Sequence, residues 1–304
     1  MTARKNLIDF IRLSRPHFLL GGFLLFALGA AIANYLGEDI NPGRYMLGQS
    51  FITSIQLMAH YLNEYYDAPI DNLNENRTPL NAGSGSLGPG GLPRSVAFYA
   101  AITMLTLTGT LAGIMLLIGN IPLLTWIFGL LGFLGAFSYS APPLRTSVSG
   151  YGELATSLVV AGFVPSFSFS LFAGDLHRLV VMSTVPLIAF HFAMMLVFEL
   201  PDYATDLKYR KRTLMVRVGW DTGMRMHDYA VLFGVLSFVI AFVNGLPNRV
   251  AIGGLIVLPL AMAQIWQMNR IRNGYPPNWR VFTLGALLLF GLSAYFTALG
   301  FVLS

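Results

Sequence analysis

Four aspartates form two matched pairs, Asp67 with Asp71 and Asp202 with Asp206. Each pair is followed by an Arg-Thr step, Arg77-Thr78 and Arg212-Thr213, so the pattern D-x3-D-x5-R-T occurs twice. Asn63 stands four residues ahead of Asp67. Carboxylate and amide oxygens are hard donors that suit Mg²⁺, an ion typically held by a few carboxylates together with substrate phosphates. Lys211, Arg212 and Arg77 would then meet the phosphate oxygens that the metal leaves free. Two carboxylate pairs across a cavity with cations behind them describe a diphosphate clamp; plain ion pairs between the same side chains are the simpler alternative. Cysteine is absent, which removes disulfides, thiolate metal sites and thiol catalysis. No G-x-x-x-x-G-K-[ST] loop occurs. The run Gly83-Ser84-Gly85-Ser86 reads equally as an anion cradle or as a flexible loop.

The elements that must position these residues are membrane helices. The chain has 304 residues, 55% hydrophobic and 11% charged, with a mean hydropathy of +0.63, too apolar for an ordinary soluble domain. Apolar stretches long enough to cross about 30 Å of hydrocarbon recur at 16–36, 45–66, 95–118, 121–140, 153–173, 179–200, 228–245, 249–268 and 280–303. The expectation is an all-α integral membrane protein with nine transmembrane helices, in one domain over residues 1–304. No removable signal peptide is read at the start, so the first helix stays in the membrane. With the N-terminus cytoplasmic, 16 of the 19 Lys and Arg residues fall on the cytoplasmic face, leaving Arg44, Arg178 and Arg249 on the other. That asymmetry follows the positive-inside rule and supports both count and orientation.

Two cytoplasmic loops stand out, 67–94, rich in Gly, Asn and Pro, and 201–227, rich in charge. Each Asp pair follows a helix running inward, so the repeated pattern at equivalent helix ends points to a duplicated helical unit. If the helix before Asp67 reaches about that residue, Asn63 and Asp67 share one face. Pro69 then breaks the helix and leaves Asp71 on the turn beyond. Pro201 ends or kinks the helix before Asp202 in the same way. Carboxylates at helix C-termini are disfavoured by the helix dipole by about 0.3–1 kcal/mol each, so something positive must compensate. Glu199, three residues before Asp202, is a candidate partner of the cluster. Glu153, at the start of a helix, is a candidate to orient or deprotonate an acceptor, or simply a favourable first-turn acid. His60 and His191 read as hydrogen-bonded structure more readily than as catalysts.

The motifs N-x3-D-x3-D at Asn63, Asp67 and Asp71, and D-x3-D at Asp202 and Asp206 followed by "KRTLMVRVG" at 211–219, resemble the UbiA superfamily of intramembrane prenyltransferases. The likeness extends over "SRPHFLLGG" near the start, "RTPLNAGSGSL" after the first motif and "SYSAPPLRTSVSGYGE" at 138–153. Within the superfamily, "ELPDYATD", "KRTLMVRVG" and the G-S-G loop look most like the branch of 1,4-dihydroxy-2-naphthoate polyprenyltransferases of the menaquinone pathway. Arg210 departs from that branch's usual glycine, and "TSVSGYGE" from its usual "R-G-L-G-E".

The resemblance implies nine helices around a central cavity with a lateral opening to lipid. It further implies an isoprenyl diphosphate held through two Mg²⁺ by Asp67, Asp71, Asp202 and Asp206, assisted by Asn63. Lys211, Arg212, Arg77 and Arg145 would neutralise the leaving group, and a small aromatic acceptor would capture the allylic cation. Tyr139, Tyr65, Tyr66, Phe137, Phe198 and Tyr203 are candidates to line the cation's path, each of them also a candidate for ordinary packing. The expected location is the cell inner or plasma membrane, with the site facing the cytoplasm and no nucleic-acid partner. Other acceptors (4-hydroxybenzoate, a porphyrin, a sugar phosphate or a glycerol phosphate) are the nearest alternatives. A secondary transporter is the alternative of another class, although the acids cluster at one face rather than at the bilayer centre. A lipid phosphotransferase lacks its Asp-Gly and Asp-Arg signature here.

Overall fold

The computed structural model describes residues 2–304, with side chains from residue 4 onward. Helix α1 (Thr2–Leu13) precedes α2 (Pro16–Tyr35), and the junction turns at Arg15, whose φ of 49° is left-handed. Proline at the first helical position, where no N–H is needed, starts α2 and also α3 (Pro42–Asp71), whose Asn41 side chain accepts the Arg44 N–H at 3.0 Å. Helices α4 (Arg94–Ile118) and α5 (Leu123–Ser140) follow, each preceded by a proline. The next segment runs through α6 (Gly152–Ser157), one widened π turn over Leu158–Phe163, and α7 (Val164–Ala173). Then come α8 (Arg178–Glu199), the short α9 (Tyr203–Lys208) and α10 (Leu214–Val218), and α11 (Trp220–Val243). The chain closes with α12 (Asn248–Leu255), α13 (Leu258–Arg272) and α14 (Trp279–Val302). Among the described residues the only β pairing is an isolated bridge between Leu87 and Leu92.

Eight segments are long and apolar enough to cross a membrane: α2, α4, α5, Gly152–Ala173, α8, α11, Asn248–Arg272 and α14. Helix α3 corresponds to the remaining expected span and falls short in apolarity. Its buried positions include Gln49, Ser54, Glu64 and Asp67, because it presents polar groups to the interior rather than to lipid. It packs between α4 and α5 and also meets α2.

Two expectations about helix ends change. Helix α3 continues through Pro69, and Asp71 is its last residue rather than a member of the following turn. Proline removes the N–H that would bond to the Tyr65 carbonyl, but the Arg94 Nε donates to that oxygen instead, so the last turn survives. The charged stretch 201–227 is mostly helical, with α11 starting at Trp220 rather than near residue 228. The expected end before the second Asp pair does occur: α8 stops at Glu199, just ahead of Pro201.

Helix packing is close where side chains are small. Gly29 of α2 lies so near α7 that a Cβ there would stand 2.2 Å from the Pro165 carbonyl oxygen. Phe26, Phe51 and Phe167 pack their rings together beside that crossing, with Phe51 and Phe167 stacked at 5.6 Å. These contacts hold α2, α3 and α7 as rigid walls around an interior cavity.

Candidate active site

A cavity of about 460 Å³ opens between α2, α3, α5, the π turn, α8 and α14. One end holds Asn63, Asp67, Asp71, Asp202, Asp206 and Lys211. The rest is largely apolar, with Leu24, Ile52, Val160, Phe198 and Leu287 on its walls. The two Asp pairs, 135 residues apart by their first members, thus face one space.

Lys211 sits among the carboxylates. Its Nζ donates to Asp67 Oδ2 at 3.2 Å, the same oxygen that accepts the Asn63 amide at 2.9 Å. Burial works against the ammonium, but Asp67, Asp206 and Asp71 outweigh it and hold the lysine well above its ordinary range. Arg145 Nη2 lies 3.9 Å from Asp67 Oδ1, and its guanidinium rests over the Tyr66 ring at 5.3 Å. Asp202 Oδ1 accepts from the side-chain amides of Asn74 and Asn81, both from the loop after α3. Burial, followed by the charges of Asp206 and Asp71, pushes Asp202 up to about 7. Burial pushes Asp206 up to about 6, against the pull of Lys211. Asp67, Asp71, Asp202, Asp206 and Glu199 line the cavity against the cations Arg15 and Lys211, a surplus of carboxyl groups over cations.

That surplus is the test of whether a divalent cation fits. Among the described residues no three His, Cys, Asp or Glu side chains converge on one point as a closed metal centre. The aspartates instead form open pairs across a cavity, a donor set that suits Mg²⁺ completed by phosphate oxygens and water. Asp67, Asp71, Asp202 and Asp206 are the residues available to hold it.

Residues 22–289 match the sequence pattern of the UbiA prenyltransferase family. The chain belongs to that family. It is 25% identical to coumarin 8-geranyltransferase 1, chloroplastic, of Citrus limon, over 80% of this chain and 59% of that protein. It is equally identical to 1,4-dihydroxy-2-naphthoate octaprenyltransferase of Bacillus subtilis, over 76% of this chain and 70% of that one. The same 25% relates it to digeranylgeranylglyceryl phosphate synthase of Pyrococcus abyssi, over 80% and 79%. The chain spans less than two thirds of the citrus relative's length. The fold matches that of a UbiA homolog from Archaeoglobus fulgidus bound to GPP and Mg²⁺, with a TM-score of 0.62, 18% identity, and 97% and 98% of the two chains covered.

The other expected site residues divide sharply in this UbiA-family chain. Tyr139 and Glu199 line the cavity. Glu153 is buried behind its wall, where its Oε1 accepts the Leu214 N–H at 3.0 Å, while Glu199 Oε2 accepts the Met215 N–H at 3.2 Å. Both carboxyls thus brace the first turn of α10, which begins three residues after Lys211. Arg77 lies beneath the glycine run: a Cβ on Gly85 would stand 3.2 Å from its Cζ. Arg212 is exposed and outside the cavity. Of the six aromatic candidates, Tyr139 and Phe198 reach the cavity. Tyr65 lies under Arg94 at 4.1 Å, Tyr203 packs on Trp220 at 5.1 Å, and Phe137 stacks on Phe133 at 6.0 Å. His60 and His191 line the cavity with Nδ1 already engaged, by the Ser14 carbonyl at 3.1 Å and the Ser157 hydroxyl at 3.0 Å.

Sequence reasoning missed Asn74 and Asn81, which hold Asp202, and Arg15, which lines the cavity from the α1–α2 junction. Asn81 lies inside the "RTPLNAGSGSL" stretch, and its polar side chain in a loop was the available signal. Nothing in the spacing tied it to a carboxylate 121 residues away.

Proposed function

We propose that this prenyltransferase moves an isoprenyl group from an allylic polyprenyl diphosphate to a small aromatic acceptor, 1,4-dihydroxy-2-naphthoate in menaquinone biosynthesis. The observation that carries the donor half is the meeting of both Asp pairs and Lys211 at one end of an otherwise apolar cavity. Charge is concentrated where a diphosphate would sit, and hydrocarbon lines the space for its tail.

In this reading Asp67, Asp71, Asp202 and Asp206, with Asn63, would hold two Mg²⁺ ions for the diphosphate. Bound there, the metal supplies Lewis acidity to the leaving group. Lys211 neutralises charge that grows on the diphosphate as its C–O bond breaks, and Arg145, Arg77 and Arg212 add longer-range positive potential. Tyr139 and Phe198, which line the cavity, would stabilise the cationic carbon and exclude water from it. Glu199 is the carboxyl best placed to meet the acceptor. The acceptor itself is supported by the sequence likeness to the naphthoate branch and by the Bacillus relative's name. Equally similar relatives act on a coumarin or form a glyceryl phosphate lipid by their names, so those acceptor classes belong in the assay.

The chain crosses the inner or plasma membrane nine times as one domain, with α3 as the ninth span, the N-terminus cytoplasmic and the Asp cluster at the cytoplasmic end. The positive-inside distribution supports this orientation.

The test is turnover of labelled geranyl, farnesyl and geranylgeranyl diphosphate by the purified protein in lipid. The acceptor panel is 1,4-dihydroxy-2-naphthoate, 4-hydroxybenzoate, a coumarin, a porphyrin, a sugar phosphate and a glycerol phosphate. Prenylated naphthoate formed with Mg²⁺ and lost on chelation is the expected result. Diphosphate release with another acceptor consumed retains the donor assignment and replaces the acceptor. Absence of both binding and turnover refutes the donor reading and turns attention to transport.

A further inference from the structure

Glu64 is a buried acid that the proposed chemistry does not use. It is 2% exposed, although it follows Asn63 directly on a helix facing the cavity. Two segments distant in sequence converge on its carboxylate. Arg15, at the left-handed α1–α2 junction, donates to Oε1 through Nε at 2.8 Å and through Nη2. From the glycine run, the Ser84 N–H reaches Oε1 at 2.6 Å and the Ser84 hydroxyl reaches Oε2 at 2.9 Å. The Ser86 N–H in turn donates to the Ser84 hydroxyl at 3.2 Å.

This arrangement resolves the two readings of the Gly83–Ser86 run. The loop does form an anion cradle, but the anion in it is the protein's own. Fixed this way, the loop lies against Asp71, the second member of the first Asp pair. Gly83, at φ 70°, lies so near that a Cβ there would stand 2.8 Å from Asp71 Oδ2 and 3.3 Å from Arg77 Nη2. A side chain at this positive φ would be strained as well as crowded. Arg15 and Gly83 both line the cavity.

We infer that Glu64 is a positioning residue: an internal anion that locks the glycine loop and Arg15 onto α3, so that Asp71, Arg77 and Arg15 are preset for the donor diphosphate. A buried carboxylate with four charge-assisted or backbone donors is a rigid node, and a preset site binds without the cost of ordering its loop. The functional half of this inference rests on the donor assignment above; the structural half does not.

The test uses the chain's lack of cysteine. Ser86 is 1% exposed, so Ser86→Cys places a single thiol inside the locked loop. In that background Glu64→Gln, which weakens the Arg15 pair and the loop's acceptor, is expected to speed maleimide labelling at least tenfold. Ser84→Ala, which breaks the lock from the loop side, is expected to act in the same direction if Glu64→Gln does not fold. In otherwise wild-type protein, Glu64→Gln raises the KM for the prenyl diphosphate about tenfold, with kcat and acceptor KM within about twofold. Unchanged labelling in both variants overturns the lock. Faster labelling with an unchanged donor KM overturns the positioning role. Faster labelling in a protein whose parent shows no prenyl transfer leaves the lock standing and removes the donor assignment instead.

Discussion

Removing the Lys211 ammonium takes away the one cation that Asp67, Asp71 and Asp206 share, and leaves Asp67 only the more distant Arg145 at 3.9 Å. If Lys211 also meets the leaving diphosphate, Lys211→Gln lowers kcat by about 10²–10³-fold, the usual cost of losing one donor aimed at developing charge. Single-turnover rates at saturating donor and Mg²⁺ check this, and a change confined to KM refutes it. Asp67→Ala and Asp202→Ala are each expected to abolish Mg²⁺-dependent diphosphate release, because each removes one half of the facing pairs. Isothermal titration of a donor analogue with and without Mg²⁺ separates that loss from misfolding. The types and spacing of these side chains are legible in the sequence, because metal and phosphate chemistry restricts which residues serve. The amides that orient Asp202 are not, since an asparagine in a loop has no spacing rule linking it to a distant acid.

At the scale of elements, the short helix α10 is held by Glu153 and Glu199 through the Leu214 and Met215 N–H groups. Glu153→Ala leaves a buried N–H without its acceptor, at a cost of about 1–3 kcal/mol. Glu153→Gln retains a side-chain oxygen and is expected to keep most of the stability and activity. Thermal melts and turnover of the two variants check this, and loss of turnover in Glu153→Gln with an unchanged melt would restore a direct role on the acceptor. The end of α3 offers a second case. Arg94→Ala exposes the Tyr65 carbonyl that Pro69 leaves open, costing about 1 kcal/mol. In a Pro69→Ala background the helix supplies its own N–H, and the same substitution is expected to cost little. Sequence alone placed a break at Pro69 because proline removes a donor; the donor that replaced it came from another helix.

For the whole molecule, the cysteine-free chain makes topology measurable one thiol at a time. Glu38→Cys and Leu176→Cys are expected to react with an impermeant maleimide added outside intact cells. Leu73→Cys and Tyr275→Cys are expected to react only after permeabilisation. All four sites are exposed. Labelling of positions 38 and 73 from the same side would show that α3 does not cross, reduce the count to eight, and place both termini on one face.

The amino-acid sequence by itself determined the membrane class, eight of the expected spans apart from their edges and the repeated Asp motif, because each is written in apolar length or residue spacing, and the family was legible in it as a resemblance carried by the wording of those motifs. Tertiary structure alone decided that both motifs share one cavity, that Arg212 points away from it while Lys211 enters, and that Glu153 braces a helix. It also decided that Glu64 fills the loop's anion site. Those outcomes depend on which backbone donors and side chains packing brings within about 3 Å of one another. A hydrogen bond between positions 15 and 64 or 81 and 202 exists only once the helices between them have packed.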